Sequence, residues 1–141
     1  MRKINLVRLL LGGLVAGIVA DILGYLVDGV LLSQRWTDAM LALGRNEFST
    51  TQIVQFNLIG IVFGIVSIVI YVAFRSLFGA SWKTAVYAGV TAWVIGVLLP
   101  NASFMLVTDL FSKHLTLYTT LGGLVEAVAG TVAGAALYKQ S

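Results

Sequence analysis

The chain has 141 residues, of which 59% are hydrophobic and 11% are charged. An average soluble chain has about 25% charged residues, so this composition excludes an ordinary soluble domain. The net charge of +3 comes from nine basic and six acidic residues, which are too few and too scattered for a nucleic-acid surface. Because the chain has no cysteine, disulfides, thiolate metal sites and thiol nucleophiles are excluded.

Four apolar stretches are each long enough to cross a bilayer as a helix, which takes about 20 residues. They cover residues 4–32, 53–78, 84–111 and 117–138. Barrel strands alternate polar and apolar residues, and these stretches do not. The sequence therefore predicts an all-α integral membrane protein with one transmembrane domain, 1–141. The short second and third turns favour an antiparallel four-helix bundle.

The first connection is the longest, and it contains an amphipathic segment. Trp36, Met40 and Leu43 fall on one side at helical spacing, which predicts a short helix in the membrane interface that ends near Gly44. Trp36 and Trp82 are the expected interfacial anchors. Ser49 to Gln52 are expected to cap the second span, and Gly79 and Ser81 to form a tight second turn.

The distribution of basic residues predicts the orientation. Six of the nine fall on one side of the predicted topology and three on the other; the six are Arg2, Lys3, Arg8, Arg75, Lys83 and Lys139. Because basic residues concentrate on the cytoplasmic side, we expect a multi-pass protein of the bacterial inner (plasma) membrane with both termini in the cytoplasm.

Four polar side chains are predicted to share one depth inside the bundle, one from each span: Asp21, Asn57, Asn101 and Glu126. Polar groups inside a membrane cost a few kcal/mol each unless they are paired. One interpretation is a hydrogen-bonded layer that fixes the register of the helices. The alternative is a proton or cation relay that uses Asp21 and Glu126.

Small residues recur at helical spacing in three of the spans. Such stripes allow helix backbones to approach closely, so they predict either internal packing or a groove for a partner helix, a lipid or a flat polyene. The residues concerned are Gly13, Gly17, Gly60, Gly64, Gly122, Gly130 and Gly134.

Nothing in the sequence points to an enzyme or a metal site. His114 is the single histidine, so a two-histidine site is impossible within one chain. Neither a phosphate-binding loop nor a nucleophile elbow is present, and the short loops leave little room for a soluble active site.

The chain resembles small bacterial four-helix integral membrane proteins over nearly its whole length. The resemblance rests on Gly-Gly-Leu-Val-Ala-Gly in the first span, on Trp36 with the Ala-Met-Leu-Ala-Leu segment, on Leu-Leu-Pro ending at Pro100, and on Leu-Val-Glu ending at Glu126. It implies a four-helix fold but no particular activity.

Two functions are consistent with these patterns. The first is a non-enzymatic accessory subunit that packs against a larger membrane complex or a second copy, with lipid, carotenoid or chlorophyll as candidate occupants of its grooves. The alternative is a small proton- or cation-coupled carrier that uses Asp21 and Glu126.

Overall fold

A computed structural model describes residues 3–138, and this part of the chain is all-helical. Its five helices are α1 (Leu6–Leu31), α2 (Ser33–Ala42), α3 (Thr50–Phe78), α4 (Trp82–Thr108) and α5 (Lys113–Leu137). All except α2 are long and apolar enough to cross a membrane, which suggests a multi-pass membrane protein. The predicted helical content is confirmed, and α5 shows the largest shift in a boundary, since it begins four residues before the predicted Leu117.

Short polar side chains start the helices, as the sequence predicted for α3 and α4. The Ser49 hydroxyl accepts a hydrogen bond from the Gln52 backbone N–H (3.2 Å), and the Gln52 side chain accepts one from the Ser49 N–H (2.9 Å). Ser81 accepts from the Thr84 N–H at 3.1 Å. These bonds satisfy backbone donors that have no partner within the first turn of a helix.

Three residues with positive φ end helices. Gly44 (φ 68°) and Gly79 (φ 81°) follow α2 and α3, as predicted, because glycine adopts this backbone conformation without a steric penalty. The third is Asp109 (φ 48°), directly after α4. Asp tolerates the left-handed region better than most residues, so α4 ends three residues before the predicted Phe111.

Two of the long helices contain π-helical turns, which the sequence analysis did not predict. α1 is π-helical over Tyr25–Leu31, and α4 is π-helical over Val94–Leu98 and Phe104–Thr108. Pro100 follows the first π-helical turn of α4. Proline lacks the N–H that would bond four residues back, to Gly96, and its ring crowds that carbonyl. A wider turn around Gly96 accommodates both effects.

The long helices pack side by side. α1 lies against α3 and α5, α4 lies against the same two helices, and α3 and α5 also contact each other. The core is concentrated near one end of this arrangement, where Ile68 and Ala88 are fully buried and Tyr71 and Tyr138 are nearly so. We call this end the Arg75 end. It holds the start of α1, the α3–α4 turn and the end of α5.

The outward face of α1 is apolar and exposed. The helical spacing predicts a lipid-facing surface that includes Leu9, Leu11, Leu14, Ile18 and Ile22. Leu11, Leu14, Ile18 and Ile22 are 42–56% exposed, as expected of that surface. Leu9 is 7% exposed and belongs to the core instead. The helix therefore presents an apolar stripe on two sides near its start, one for the core and one outward.

Candidate functional site

Asp21 lies in the seam between α1 and α3. Its carboxyl group occupies the space beside Gly60, where a side chain on that residue would otherwise be. The Asp21 side chain is half-buried. Gly60 therefore provides room for a carboxyl group rather than for a neighbouring backbone.

Glu126 belongs to α5 and faces the other seam of α1. Its Oε1 atom is 2.7 Å from the point where a Cβ on Gly24 would stand. On α1, Gly24 lies three residues after Asp21 and four residues before Asp28, so Glu126 faces the level of both carboxyl groups. Three carboxyl groups of α1 and α5 are therefore near enough to interact electrostatically, and we call them the acidic cluster.

Asp28 is the member of this cluster that the sequence analysis did not select. Its Oδ1 atom accepts a hydrogen bond from the indole Nε1 of Trp36 at 3.1 Å. The turn at Leu32 brings α2 back against the end of α1, which places residues eight apart in contact. The sequence could have indicated Asp28, because at helical spacing it shares the glycine-containing face of α1 with Asp21.

Trp36 lies in an aromatic cluster as well as against Asp28. Its ring is edge-on to Phe48 (5.8 Å between centroids) and Phe111 (5.5 Å). It is half-buried, and these contacts connect α2 to the α2–α3 loop and to the α4–α5 loop. Trp82, the other predicted anchor, is 68% exposed.

Asn101 forms a different polar contact. Its amide donates to the Thr120 hydroxyl at 2.9 Å, and this hydroxyl donates to the Thr116 carbonyl at 2.6 Å. The Trp93 indole donates to the Thr120 carbonyl at 2.8 Å. These bonds link α4 to α5 about six residues, or roughly 9 Å, before Glu126 along the helix.

Asn57 does not join the predicted buried layer. Its side chain is exposed and donates to the carbonyl of Ile53, one turn back on α3 (2.9 Å). The four predicted residues therefore separate into the acidic cluster, the Asn101–Thr120 contact and an outward Asn57. Their similar depth was inferred from helix length, which does not determine the direction in which each side chain points.

The seven predicted groove glycines all lie against atoms of this chain. A Cβ on Gly13 would stand 2.6 Å from the Ile65 Cα, one on Gly17 2.5 Å from the Ile61 Cα, and one on Gly130 2.5 Å from the Ala16 carbonyl oxygen. Gly64 meets the Gly17 backbone, Gly134 meets Gly12, Gly122 meets the Val27 side chain, and Gly60 meets Asp21. These seams are occupied by helix packing, so an apolar ligand would have to displace a helix there.

The carboxyl groups of the acidic cluster have few hydrogen-bond partners within the protein. Within residues 3–138, every fully enclosed side-chain oxygen has a hydrogen-bond partner, whereas the side chains of Asp21 and Glu126 form no hydrogen bond. Their oxygens therefore keep an open side. In the same residues, no three His, Asp or Glu side chains are grouped closely enough to hold a metal ion.

Comparison of the chain with known protein families, with curated proteins and with solved structures finds no match. The resemblance to small bacterial four-helix membrane proteins therefore stays a hypothesis.

Proposed function

We propose that the protein is an antiparallel four-helix bundle of the bacterial inner membrane, with both termini cytoplasmic and α2 in the outer interface. The order of the contacts supports the antiparallel arrangement. As residue numbers rise along α1, the numbers of the contacting residues fall along both partner helices. On α5, Gly12 contacts Gly134, Ala16 contacts Gly130, and Gly24 contacts Glu126. On α3, Gly13 contacts Ile65 and Gly17 contacts Ile61.

Labelling of single cysteines tests this topology, because the native chain has none. Glu47→Cys, before α3, should react with a membrane-impermeant maleimide on intact spheroplasts. Ala80→Cys, in the α3–α4 turn, should react only after the membrane is opened. Labelling of both positions from one side would contradict the bundle.

Within this bundle we propose a small proton-coupled carrier that uses the acidic cluster. The observation that carries the proposal is the position of Glu126. Its half-buried carboxyl group faces Gly24 between two apolar helices, within electrostatic range of Asp21 and Asp28, and without a hydrogen bond from residues 3–138. An ionisable group inside a membrane segment is expensive and is by default a candidate functional site.

A proton suits this cluster better than a metal ion. The carboxyl groups of residues 3–138 are not grouped as metal ligands, whereas a proton needs one oxygen. Binding a proton at Glu126 would remove its repulsion with Asp21 and Asp28, and releasing the proton would restore that repulsion. Protonation would therefore change how closely α1 and α5 approach, and this is a means of coupling proton binding to helix movement.

Proton flux into proteoliposomes tests the proposal. Glu126→Gln preserves the shape of the side chain but cannot exchange a proton in this way, so it should fold normally and reduce flux to that of protein-free liposomes. Glu47→Gln, on an exposed loop residue, is the matched control and should keep full flux. A Glu126→Gln protein with wild-type flux would rule out the role of Glu126.

A membrane subunit that binds a partner helix, a lipid or a carotenoid is the second candidate, and the exposure of α4 favours it. No residue of α4 from Trp93 to Thr108 is buried, and Leu106 and Val107 are 77% and 82% exposed. Purification in mild detergent, followed by absorbance and mass spectrometry, tests this function. A co-purifying pigment or larger complex would support it, and a colourless homo-oligomer would favour the carrier.

A further inference from the structure

A cavity of about 380 Å³ lies at the Arg75 end, between α3, α4 and α5. No member of the acidic cluster is among its lining residues. Its lining combines Arg75 with the aromatic side chains of Tyr71, Trp82 and Tyr138 and with several alanines.

Arg75 is held in place by two tyrosines. Its Nη1 donates to the Tyr138 carbonyl at 3.2 Å, and its guanidinium carbon lies 5.2 Å from the Tyr138 ring centroid and 5.7 Å from that of Tyr71. Aromatic faces attract such a cation. A guanidinium has several N–H donors, and one carbonyl uses only part of them, so this fixed group can still donate to an anion in the cavity.

A second positive feature lies at the start of α4. The Lys83 ammonium is 5.9 Å from the centroid of the Trp82 ring, which lines the cavity. Ser81 caps the helix at the same place, and backbone N–H groups at a helix N-terminus favour anions. Together with Arg75, these groups make the mouth of the cavity positive.

The rest of the cavity wall is apolar and built from small residues. Ala85 and Ala135 are buried, and Ala136 is exposed at the wall. A ligand that fits this lining has an anionic group at one end and an apolar chain at the other.

We propose that this cavity binds an anionic phospholipid, with its phosphate on Arg75 and near Lys83 and an acyl chain along the alanine wall. Arginine binds phosphate oxygens through two parallel hydrogen bonds, and an exposed tryptophan such as Trp82 is typical of the headgroup level. The proposal goes beyond the carrier function and requires only that the helices lie in a membrane.

Lipid binding to the purified full chain tests the proposal. In detergent, dioleoylphosphatidylglycerol should remain bound in native mass spectra and raise the thermal unfolding midpoint, whereas dioleoylphosphatidylcholine should do neither at the same concentration. Arg75→Gln should bind the anionic lipid about tenfold more weakly, because it loses a charge-assisted hydrogen bond. Arg45→Gln removes the same charge from an exposed loop residue and should bind like the wild type.

A second variant keeps the test decisive if Arg75→Gln does not fold. Ala136→Phe keeps Arg75 and fills the cavity from its exposed wall, so it should fold and lose the lipid. Wild-type affinity in Ala136→Phe, or equal losses in Arg75→Gln and Arg45→Gln, would overturn the proposal. A midpoint that rises as much with inorganic phosphate at matched ionic strength would identify free phosphate, rather than a lipid, as the ligand.

Discussion

The substitution Gly64→Ala should destabilise the protein by disturbing the contact between α1 and α3. An added Cβ at residue 64 would stand 2.5 Å from both the Gly13 carbonyl oxygen and the Gly17 Cα, whereas ordinary contacts begin near 3.4 Å. Both obstructing atoms belong to the α1 backbone, which cannot move as a side-chain tip can. The two helices would have to separate by about 1 Å, and the seam would lose packing along its length.

The size of the effect follows from two opposing contributions. Overpacking costs typically about 1–3 kcal/mol, and the backbone obstruction places this site near the upper end. Replacing glycine by alanine inside a helix returns about 1 kcal/mol of helix propensity. We therefore expect a net loss of about 2 kcal/mol in the free energy of unfolding, which is roughly a 30-fold change in the equilibrium constant.

Gly29→Ala is the matched control, because it makes the same chemical change where the obstruction is flexible. Its added Cβ would meet the Tyr25 ring at 3.0 Å, and Tyr25 is 67% exposed and free to swing outward. This variant should therefore be as stable as the wild type, or more stable by up to the helix-propensity gain of about 1 kcal/mol. Unfolding in mixed micelles by titration with sodium dodecyl sulfate, followed by tryptophan fluorescence, measures both values. If Gly64→Ala is as stable as Gly29→Ala, the described α1–α3 register is incorrect.

Two further predictions concern the polar contacts. Trp36→Phe keeps an aromatic ring but removes the Nε1 bond to Asp28, so the same titration should show a loss of about 1.5 kcal/mol; an equal loss in Trp82→Phe would mean that the bond to Asp28 is not the cause. For the bond between Asn101 and Thr120, a double-mutant cycle with Asn101→Leu and Thr120→Val should give a coupling of about 0.6 kcal/mol, the average for side-chain bonds in membranes. Additive effects would show that the two side chains do not interact.

The helices could be predicted because their causes are local. Long apolar stretches form α1, α3, α4 and α5. Ser49 and Ser81 start α3 and α4 through side-chain hydrogen bonds within the first turn, and Gly79 ends α3 through its positive φ. The π-helical turns could not be predicted in this way. They have the same hydropathy as the α-helix around them, and only Pro100 gave a sign of irregularity.

The site was predicted only in part because depth and direction are separate quantities. Counting residues from the helix ends predicted a shared depth for Asp21 and Glu126, and the structure places their carboxyl groups beside Gly60 and Gly24 in the two seams of α1. The same count could not tell that Asn57 points outward. Asp28 was missed because its partner Trp36 belongs to α2, and the tight turn between α1 and α2 was not expected.

The position of α1 has a consequence for biosynthesis. α1 is synthesised before α3, α4 and α5, but its glycine-containing seams fit α3 and α5. Since chains are synthesised and begin to fold from the N-terminus, the α5 seam of α1 stays unfilled until three further long helices have been made. The four long helices can therefore assemble only after α5 is synthesised, and a nascent chain that stops before α5 would leave α1 open to unrelated helices or to quality-control proteases.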